Sequence, residues 1–548
     1  MFSKRSRRKV SVVESSRELL NRQADACEWS LLAGEGERLF PEGATSAAQL
    51  LARFPHTVLK SGSHRIVYRL ETDGGVCYLK HYKISDWKSR LQNWVRPSRA
   101  RIEWNHTWQL IDLGFDSCLP IALGEVRSGA VVRDSFFITR EISGAIQLDH
   151  FIEQVLPESH DITARALCFE LANQLGHLTA ELHLKGVQHR DYHAGNVLVT
   201  YDKERLSLRL WLIDLHQVTF GKRLTVRQSL SNFALLNSYF SNRGDASDRR
   251  RFFRAYWNTI RQSDRKTVRG FTDYKESIRL IEAHCEREMW KEFARADVKW
   301  DRGNRRLIIL EGKPGEAACR GVSELGKDYL QKVRKSPETI LGSNRQAEPI
   351  ELPSRDGLLQ GYLKSSDFTT SGGFSARAAW NIGHACIRRR LSTPRPLLFA
   401  EKGDRNWLVT KTIPNAVTLP ELARISSAEP LSFRTRRQLT RRTAAQLAWR
   451  DRCGFIDRRP RLDNILVDAN RETIYFVGLG YVTSGLPPVE EANALSTLAA
   501  WAKDALRSPG ITRSDRLRFL KRYLHGKSVD WKRYWKRIDS EVHSTTAD

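Results

Sequence analysis

The chain has 548 residues, too many for one ordinary core, and length alone argues for about two to four domains. An apolar fraction of 41% with 28% charged residues suits folded domains, and 18 prolines with 34 glycines exclude collagen-like and low-complexity classes. The formal charge of +27 draws the chain toward polyanions, whether nucleic acid, anionic lipid or phosphorylated glycolipid, without choosing among them.

The eight cysteines are scattered and form no C-x-x-C pair, which argues against a zinc site or a disulfide framework and for a reduced cytoplasm. No apolar run approaches the roughly 18 residues needed to span a bilayer. The start is basic (Lys4, Arg5, Arg7, Arg8, Lys9), but no apolar stretch of the kind found in secretory signals follows. The expected location is the cytoplasm, including the inner face of the cytoplasmic membrane.

In chain order, residues 1–50 read as an extension whose helical patch around Ser15–Leu32 packs on the domain that follows. Val58–Leu70 and Val76–Tyr82 alternate as strands around a Gly74-Gly75 turn. Pro97 opens a helix that spaces Ile102, Trp108 and Leu110–Leu113 along an apolar face and stops at Gly114. Ser135–Ile142 is a strand, Ile162–Lys185 a long amphipathic helix ended by Gly186, and Val197–Thr200 with Leu208–Leu215 a strand pair. Val226 to about Cys285 is helical. A small antiparallel sheet with one inserted helix, followed by a helical lobe, is the layout of a bilobal kinase.

The same layout is written twice. Gly186 through Asn196-Val-Leu-Val199 matches Gly454 through Asn464-Ile-Leu-Val467, Arg101–Asn105 matches Arg377–Asn381, and Ser247–Trp257 matches Ser514–Leu524. Three matches in one order predict a tandem duplication. The expected architecture is α+β, with an extension over 1–50 and kinase-like domains over 51–285 and 286–548, each with an antiparallel-sheet N-lobe and a helical C-lobe.

His189-Arg190-Asp191-Tyr192-His193-Ala194-Gly195-Asn196 fits H-R-D-x-x-x-x-N, and Asp214 ends the apolar strand Leu210-Trp-Leu-Ile213. Phosphoryl transfer needs a carboxylate to orient the acceptor hydroxyl and take its proton, which suits Asp191. It also needs an amide oxygen and a second carboxylate to hold Mg2+ against the phosphates, which suits Asn196 and Asp214. Cys77-Tyr-Leu-Lys80 resembles the strand that presents a phosphate-binding lysine, with Glu103 on the next helix as its ion-pair partner; Lys83 is the alternative lysine. Ser61-Gly62-Ser63 offers one glycine for a phosphate loop. The predicted catalytic set is therefore Asp191, Lys80, Glu103, Arg190 and His189, the last in a structural role. The predicted nucleotide contacts are Lys80, Gly62, Glu141, Asn196 and Asp214. The spacing of His177, His183, His189 and His193 fits no metal-ligating motif.

These residues, with Leu212-Ile-Asp-Leu-His216 in place of D-F-G and Lys80 with Arg99–Trp104, resemble the lipopolysaccharide kinase family over most of residues 55–260. The resemblance implies ATP as donor, with Mg2+, and a Kdo or heptose hydroxyl of the lipopolysaccharide inner core as acceptor. It places the reaction at the cytoplasmic face of the inner membrane. No A-P-E motif follows Asp214 and helix signals resume near Val226, which favours a sugar or glycolipid acceptor over a peptide. The alternatives are a kinase of the same fold acting on another small molecule or a protein hydroxyl, and a non-catalytic polyanion-binding scaffold. No RNP, KH or zinc-finger pattern occurs, so no nucleic-acid partner is expected.

The second copy is expected to be a pseudokinase. Arg459 stands at the position of Asp191, Gly478 at that of Asp214 and Ala379 at that of Glu103, leaving Asn464 and Lys364. The arginines Arg434, Arg436, Arg437, Arg441 and Arg442 read either as a solvated helix face or as a surface for a phosphorylated acceptor. Trp531, Tyr534, Trp535 and Ile538 share one helix face flanked by Lys532, Arg533, Lys536 and Arg537. Packing on a lobe is favoured for that face, and contact with an anionic membrane is the competing expectation.

Overall fold

The computed structural model describes residues 18–544 except 25–26, 41–45, 63, 84–96, 130, 157–160, 242, 245, 264–270, 272, 305, 343–346, 368–374, 471, 486 and 528. The basic run Lys4–Lys9 and Ser63 of the glycine loop lie outside the described residues. The chain divides into two compact units, Met1–Met289 and Trp290–Asp548.

The first unit opens on an antiparallel hairpin of β1 (Leu19–Ala24) and β2 (Cys27–Leu32). This corrects the helix expected over Ser15–Leu32. In β2, Cys27, Trp29 and Leu31 are buried and Glu28 is exposed, so the apolar period is two and not 3.6. β2 pairs with β6 (Pro120–Ser128), and the short helices α1 (Glu35–Leu39) and α2 (Ala47–Arg53) pack their Leu39 and Leu50 into the same core. The described part of residues 1–50 is thus no separate extension but the first stretch of the domain.

The full sheet has seven antiparallel strands in the order β1-β2-β6-β7-β5-β4-β3, with β3 His56–Ser61, β4 Arg65–Thr72, β5 Gly75–Lys83 and β7 Val131–Arg140. The single strand expected over Val58–Leu70 is two, turned at Gly62. Alternation along β5 sends Cys77 and Leu79 into the core with Trp29, Phe40 and Ile138. It sends Tyr78, Lys80 and Tyr82 to the opposite face. Helix α3 (Arg99–Asp112), capped by the Ser98 hydroxyl, covers one end of that face, where Trp104 packs on Phe137.

The helical lobe begins with α4 (Asp161–Leu184), followed by β9 (Val187–His189). β10 (Val197–Asp202) lies between β8 (Ile146–Gln147) and β11 (Ser207–Leu212). β12 (Val218–Phe220) returns to pair with β9. Helices α5 (Val226–Phe240), α6 (Ala246–Gln262) and α7 (Tyr274–Asp301) complete the series. A sheet lobe and a helical lobe joined this way form the α+β, protein-kinase-like architecture.

The second unit runs through the same order. β13 (Leu307–Leu310), β14 (Ala318–Val322), β15 (Glu348–Ser354), β16 (Gly357–Asp367), β17 (Pro396–Lys402) and β18 (Arg405–Lys411) form a sheet ordered β13-β14-β17-β18-β16-β15. Among the described residues that is the order of the first sheet without its outer strand β3. Helices α8 (Lys327–Lys335) and α9 (Pro337–Leu341) stand where α1 and α2 stood, and α10 (Ala376–Arg388) where α3 stood. Further on come α11 (Leu419–Ala428), α12 (Phe433–Arg452), α13 (Glu491–Arg507), α14 (Arg513–Tyr523) and α15 (Trp531–Ser544).

The aromatic face of α15 packs inward: Tyr534, Ile538 and Val542 are buried in the core of the second unit, and Trp531 and Trp535 lie against it. This corrects the competing expectation that these aromatics enter a membrane, because a face already buried in protein gains nothing from lipid. Among the described residues no helix is long and apolar enough to cross a bilayer. All eight cysteines are free thiols.

Candidate active site

Lys80 leaves the middle of β5, whose register is fixed on both sides by Val67 of β4 and Phe137 of β7. Its ammonium bonds to Glu103 of α3 and stands 3.6 Å from Asp214. The other Glu103 oxygen accepts from the Tyr82 hydroxyl at 2.5 Å, so a carboxylate only 2% exposed is satisfied on both oxygens. Burial alone would lower the Lys80 ammonium, but the charge of Glu103, supported by Asp214, overrides it and keeps the lysine charged. The competing candidate Lys83 is exposed at the end of β5, opposite Asp134.

Asp214 follows β11 with left-handed backbone angles, φ 60° and ψ 55°. That conformation turns its carboxylate back into the cleft, where it meets two cations and an imidazole. Arg65 of β4 donates one nitrogen to both carboxylate oxygens at 3.0 Å, His216 Nδ1 lies 3.0 Å away, and Lys80 stands beyond. Burial would raise the Asp214 carboxyl, but the His216 hydrogen bond and the charges of Lys80 and Arg65 outweigh it and hold it well below the usual carboxylate range.

Across the strand pair, Asp191 is held by its neighbours. The Asn196 amide nitrogen donates to the Asp191 carbonyl at 2.9 Å and to its carboxylate at 3.2 Å, leaving the Asn196 carbonyl oxygen as the acceptor end. Ile213 N–H bonds to the main-chain carbonyl of Asn196 at 3.1 Å, which ties the Asp214 strand to this loop. His193 Nε2 lies 3.6 Å from the Asp191 carboxylate. An ionised carboxylate and a free amide oxygen are the hard donors that Mg2+ takes, so Asp214 and Asn196 fit that ion.

His189 is buried beneath the loop. Its Nδ1 accepts the Asp191 N–H at 3.2 Å, and Asn232 of α5 donates to its carbonyl at 2.9 Å. Burial pushes its imidazole down to about 4. An unfolded histidine titrates near 6.5, so between about 4 and 6.5 the unfolded chain binds the extra proton. Stability is therefore complete above about pH 6.5 and falls as pH drops through that window, by up to about 3 kcal/mol from this group. Comparing melting temperatures at pH 7 and pH 4.5 for wild type and His189→Asn checks this: the variant should show the smaller difference, and equal differences would count against it.

The structure brings Lys80, Glu103, Asp191, Asn196 and Asp214 to one cleft with His189 beneath. It does not bring Arg190, whose side chain is exposed and whose N–H bonds to the Gln217 carbonyl at 3.1 Å. Gly62 sits in the β3–β4 turn, its N–H on the Arg65 carbonyl at 2.9 Å. The Glu141 carboxylate accepts from the Tyr78 hydroxyl at 2.7 Å, with Arg69 at 3.6 Å. Sequence reasoning missed Arg65, Tyr82 and the grip of His216 on Asp214. Tyr82 was open to discovery, since it lies two residues beyond Lys80 on the same strand face.

Residues 57–256 match the family described as Lipopolysaccharide kinase (Kdo/WaaP) family. That match lies within the first unit. Its curated relatives include the lipopolysaccharide core heptose(I) kinase WaaP of Escherichia coli, 23% identical over 222 residues, covering 39% of this chain and 82% of the relative. The Pseudomonas aeruginosa protein of the same description is 28% identical over 204 residues, covering 35% of this chain and 74% of its own length. Among solved structures, WaaP in complex with acyl carrier protein aligns with 47% of this chain and 98% of its own, at 21% identity and a TM-score of 0.35. An aminoglycoside-3'-phosphotransferase of type VIII aligns with 36% and 90%, at 16% identity and a TM-score of 0.22. The family match and the kinase relatives indicate that the first unit is a phosphotransferase.

The second unit builds the same cleft from other residues. Lys364 of β16 faces Leu408 of β18 as Lys80 faces Phe137. Asn464 donates to the Arg459 carbonyl at 3.1 Å as Asn196 does to that of Asp191, and the Asp457 carboxylate accepts the Arg459 N–H at 3.0 Å in the role of His189. Gly478 has a left-handed φ of 71°, where Asp214 has 60°, and a Cβ there would come within 2.5 Å of the Asn464 amide oxygen. In the arginine run of α12, Arg436 is bound to Asp515 and to the Gly510 carbonyl, and Arg442 to the Glu472 carbonyl, so these two brace the lobe.

Proposed function

We propose that the first unit transfers the γ-phosphoryl group of ATP to a Kdo or heptose hydroxyl of the lipopolysaccharide inner core. The observation that supports it most is the joint placement of the Lys80–Glu103 pair, Asp214 and the Asn196-held Asp191 in one cleft of the unit that matches this family. In this reading Asp191 takes the acceptor proton as the sugar oxygen bonds to the γ-phosphorus, and ADP leaves as the bond from that phosphorus to the β-phosphate oxygen breaks. Lys80 holds the α- and β-phosphates, and Glu103 with Tyr82 fixes it there. Asn196 and Asp214 would hold Mg2+, which when bound neutralises phosphate charge.

The acceptor class finds support in the segment after Asp214. It passes through β12 straight onto β9 and into α5, capped by the Thr225 hydroxyl, with no long loop to grip a peptide. The reaction would take place at the cytoplasmic face of the membrane. There the net charge of +27 favours an anionic surface through basic side chains and not through the buried aromatics of α15. The second unit is read as a non-catalytic repeat of the first, since Arg459 cannot take a proton at neutral pH and Gly478 offers no metal ligand.

A radiolabelled-ATP assay against lipopolysaccharide core, small alcohols, aminoglycosides and a generic protein, run in parallel, tests the reading. Label should enter the core sugars and disappear in Asp191→Asn. Label in one of the other acceptors, with none in the core, would overturn it.

A further inference from the structure

We propose that Arg65 is a phosphate-binding residue of the first unit's cleft that exchanges partners: Asp214 holds it until a metal ion takes that carboxylate, and a nucleotide phosphate holds it afterwards. The proposal rests on the phosphotransferase reading of that unit and adds to it a residue whose partner changes with the ligand.

Arg65 opens β4 opposite Tyr82, while Val67 stands opposite Lys80. Opposed residues of a sheet share a face, so Arg65 lies on the face of Tyr78, Lys80 and Tyr82, one rung of the ladder from the lysine. Its guanidinium meets Asp214 through a single nitrogen, Nη1, 3.0 Å from each carboxylate oxygen. A nitrogen equidistant from both oxygens sits on the bisector of the carboxylate, which is also the place of a cation that both oxygens chelate. Arg65 and a metal ion therefore compete for Asp214.

The form of the pair leaves it free to exchange. Where the first unit braces its fold with arginine it uses the two-nitrogen fork: Arg101 sets Nε and Nη2 on the two oxygens of Glu125 at 3.1 and 2.8 Å, and Arg209 grips Asp116 in the same way. Arg65 leaves its Nε and Nη2 off the Asp214 carboxylate. Burial works against its charge and Asp214 outweighs it, and a guanidinium cannot shed its proton, so Arg65 needs an anion wherever it points. The other carboxylates of the cleft are engaged, Glu103 by Lys80 and Tyr82 and Asp191 by Asn196. The anion within reach is the phosphate assigned to Lys80, because the Lys80 ammonium and Arg65 Nη1 approach the same Asp214 oxygen, at 3.6 and 3.0 Å. A guanidinium fork matches phosphate oxygens as it matches a carboxylate.

The test titrates the full chain with Mg2+-ATP, ATP in EDTA, adenosine and Mg2+ alone, by calorimetry and by the shift in melting temperature. Arg65→Met is expected to weaken Mg2+-ATP at least about tenfold, with part of the loss recovered in Arg65→Lys, and to change ATP in EDTA by less than about threefold. Mg2+ alone should bind Arg65→Met at least about threefold more tightly, since its competitor for Asp214 is gone. That rise separates exchange from bracing, because loss of a brace would loosen Mg2+ instead. Adenosine should bind wild type and variant alike. Should Arg65→Met fail to fold, Arg65→Gln carries the same expectations. Unchanged Mg2+-ATP affinity, weaker binding of Mg2+ alone, or an equal loss on adenosine overturns the proposal, and the phosphotransferase reading stands as long as wild type binds Mg2+-ATP. A wild type that binds no Mg2+-ATP overturns both.

Discussion

Asp191→Asn is expected to lower turnover on the true acceptor by about 10²- to 10⁴-fold, the usual contribution of a positioned general base. Mg2+-ATP binding should stay within about twofold, because in the proposed reading Asp191 faces the acceptor and the nucleotide is held from Lys80 and Asp214. The substitution is nearly isosteric and leaves the Asp191 carbonyl, which Asn196 also grips, unchanged. A loss confined to kcat is thus the signature sought. Turnover near wild type would remove Asp191 from the chemistry and the central assignment with it.

Asp214→Asn should weaken Mg2+-ATP binding at least about tenfold, or 1.4 kcal/mol, and erase its dependence on Mg2+. The carboxylate meets Lys80, Arg65 and His216, so its neutral analogue leaves these groups less fully compensated where they face the phosphates. Binding of ATP in EDTA should then be as tight in the variant as in wild type, or tighter. The readout is the shift in melting temperature with ATP, measured with Mg2+ and with EDTA. A variant that still needs Mg2+ for its full shift would place the metal elsewhere.

The octapeptide at His189–Asn196 and the strand ending at Asp214 were legible because their spacing along the chain is local and their chemistry is demanding. Lys80 and Glu103 were legible as a strand lysine followed by a helix glutamate. Arg65 was not: it meets Asp214 across a separation of 149 residues, and nothing in the local pattern of β4 distinguishes it from Arg69. The opening hairpin failed for another reason. Leu19 and Leu20 beside Leu31 and Leu32 satisfy a helical period in part, and only the sheet partner β6 decides for strands. Three short matching segments led to an expected boundary at 285–286, and the chain divides between Met289 and Trp290; Arg459 and Gly478 at the places of Asp191 and Asp214 were readable only once one segment was laid on the other.

The place of β2 in the first sheet has a consequence for how the chain can be divided. Trp29 is 1% exposed and lies against the backbone of β6, where a Cβ on Gly124 would come within 2.7 Å of its ring. A fragment begun at residue 51 would lose that indole and bare the hydrogen-bonding edge of β6. Such an edge recruits strands from other molecules, so the fragment should self-associate even with every group of the cleft intact. A cut between Met289 and Trp290 leaves both sheets with their own outer hairpins, β1-β2 and β13-β14, and severs only the helix α7.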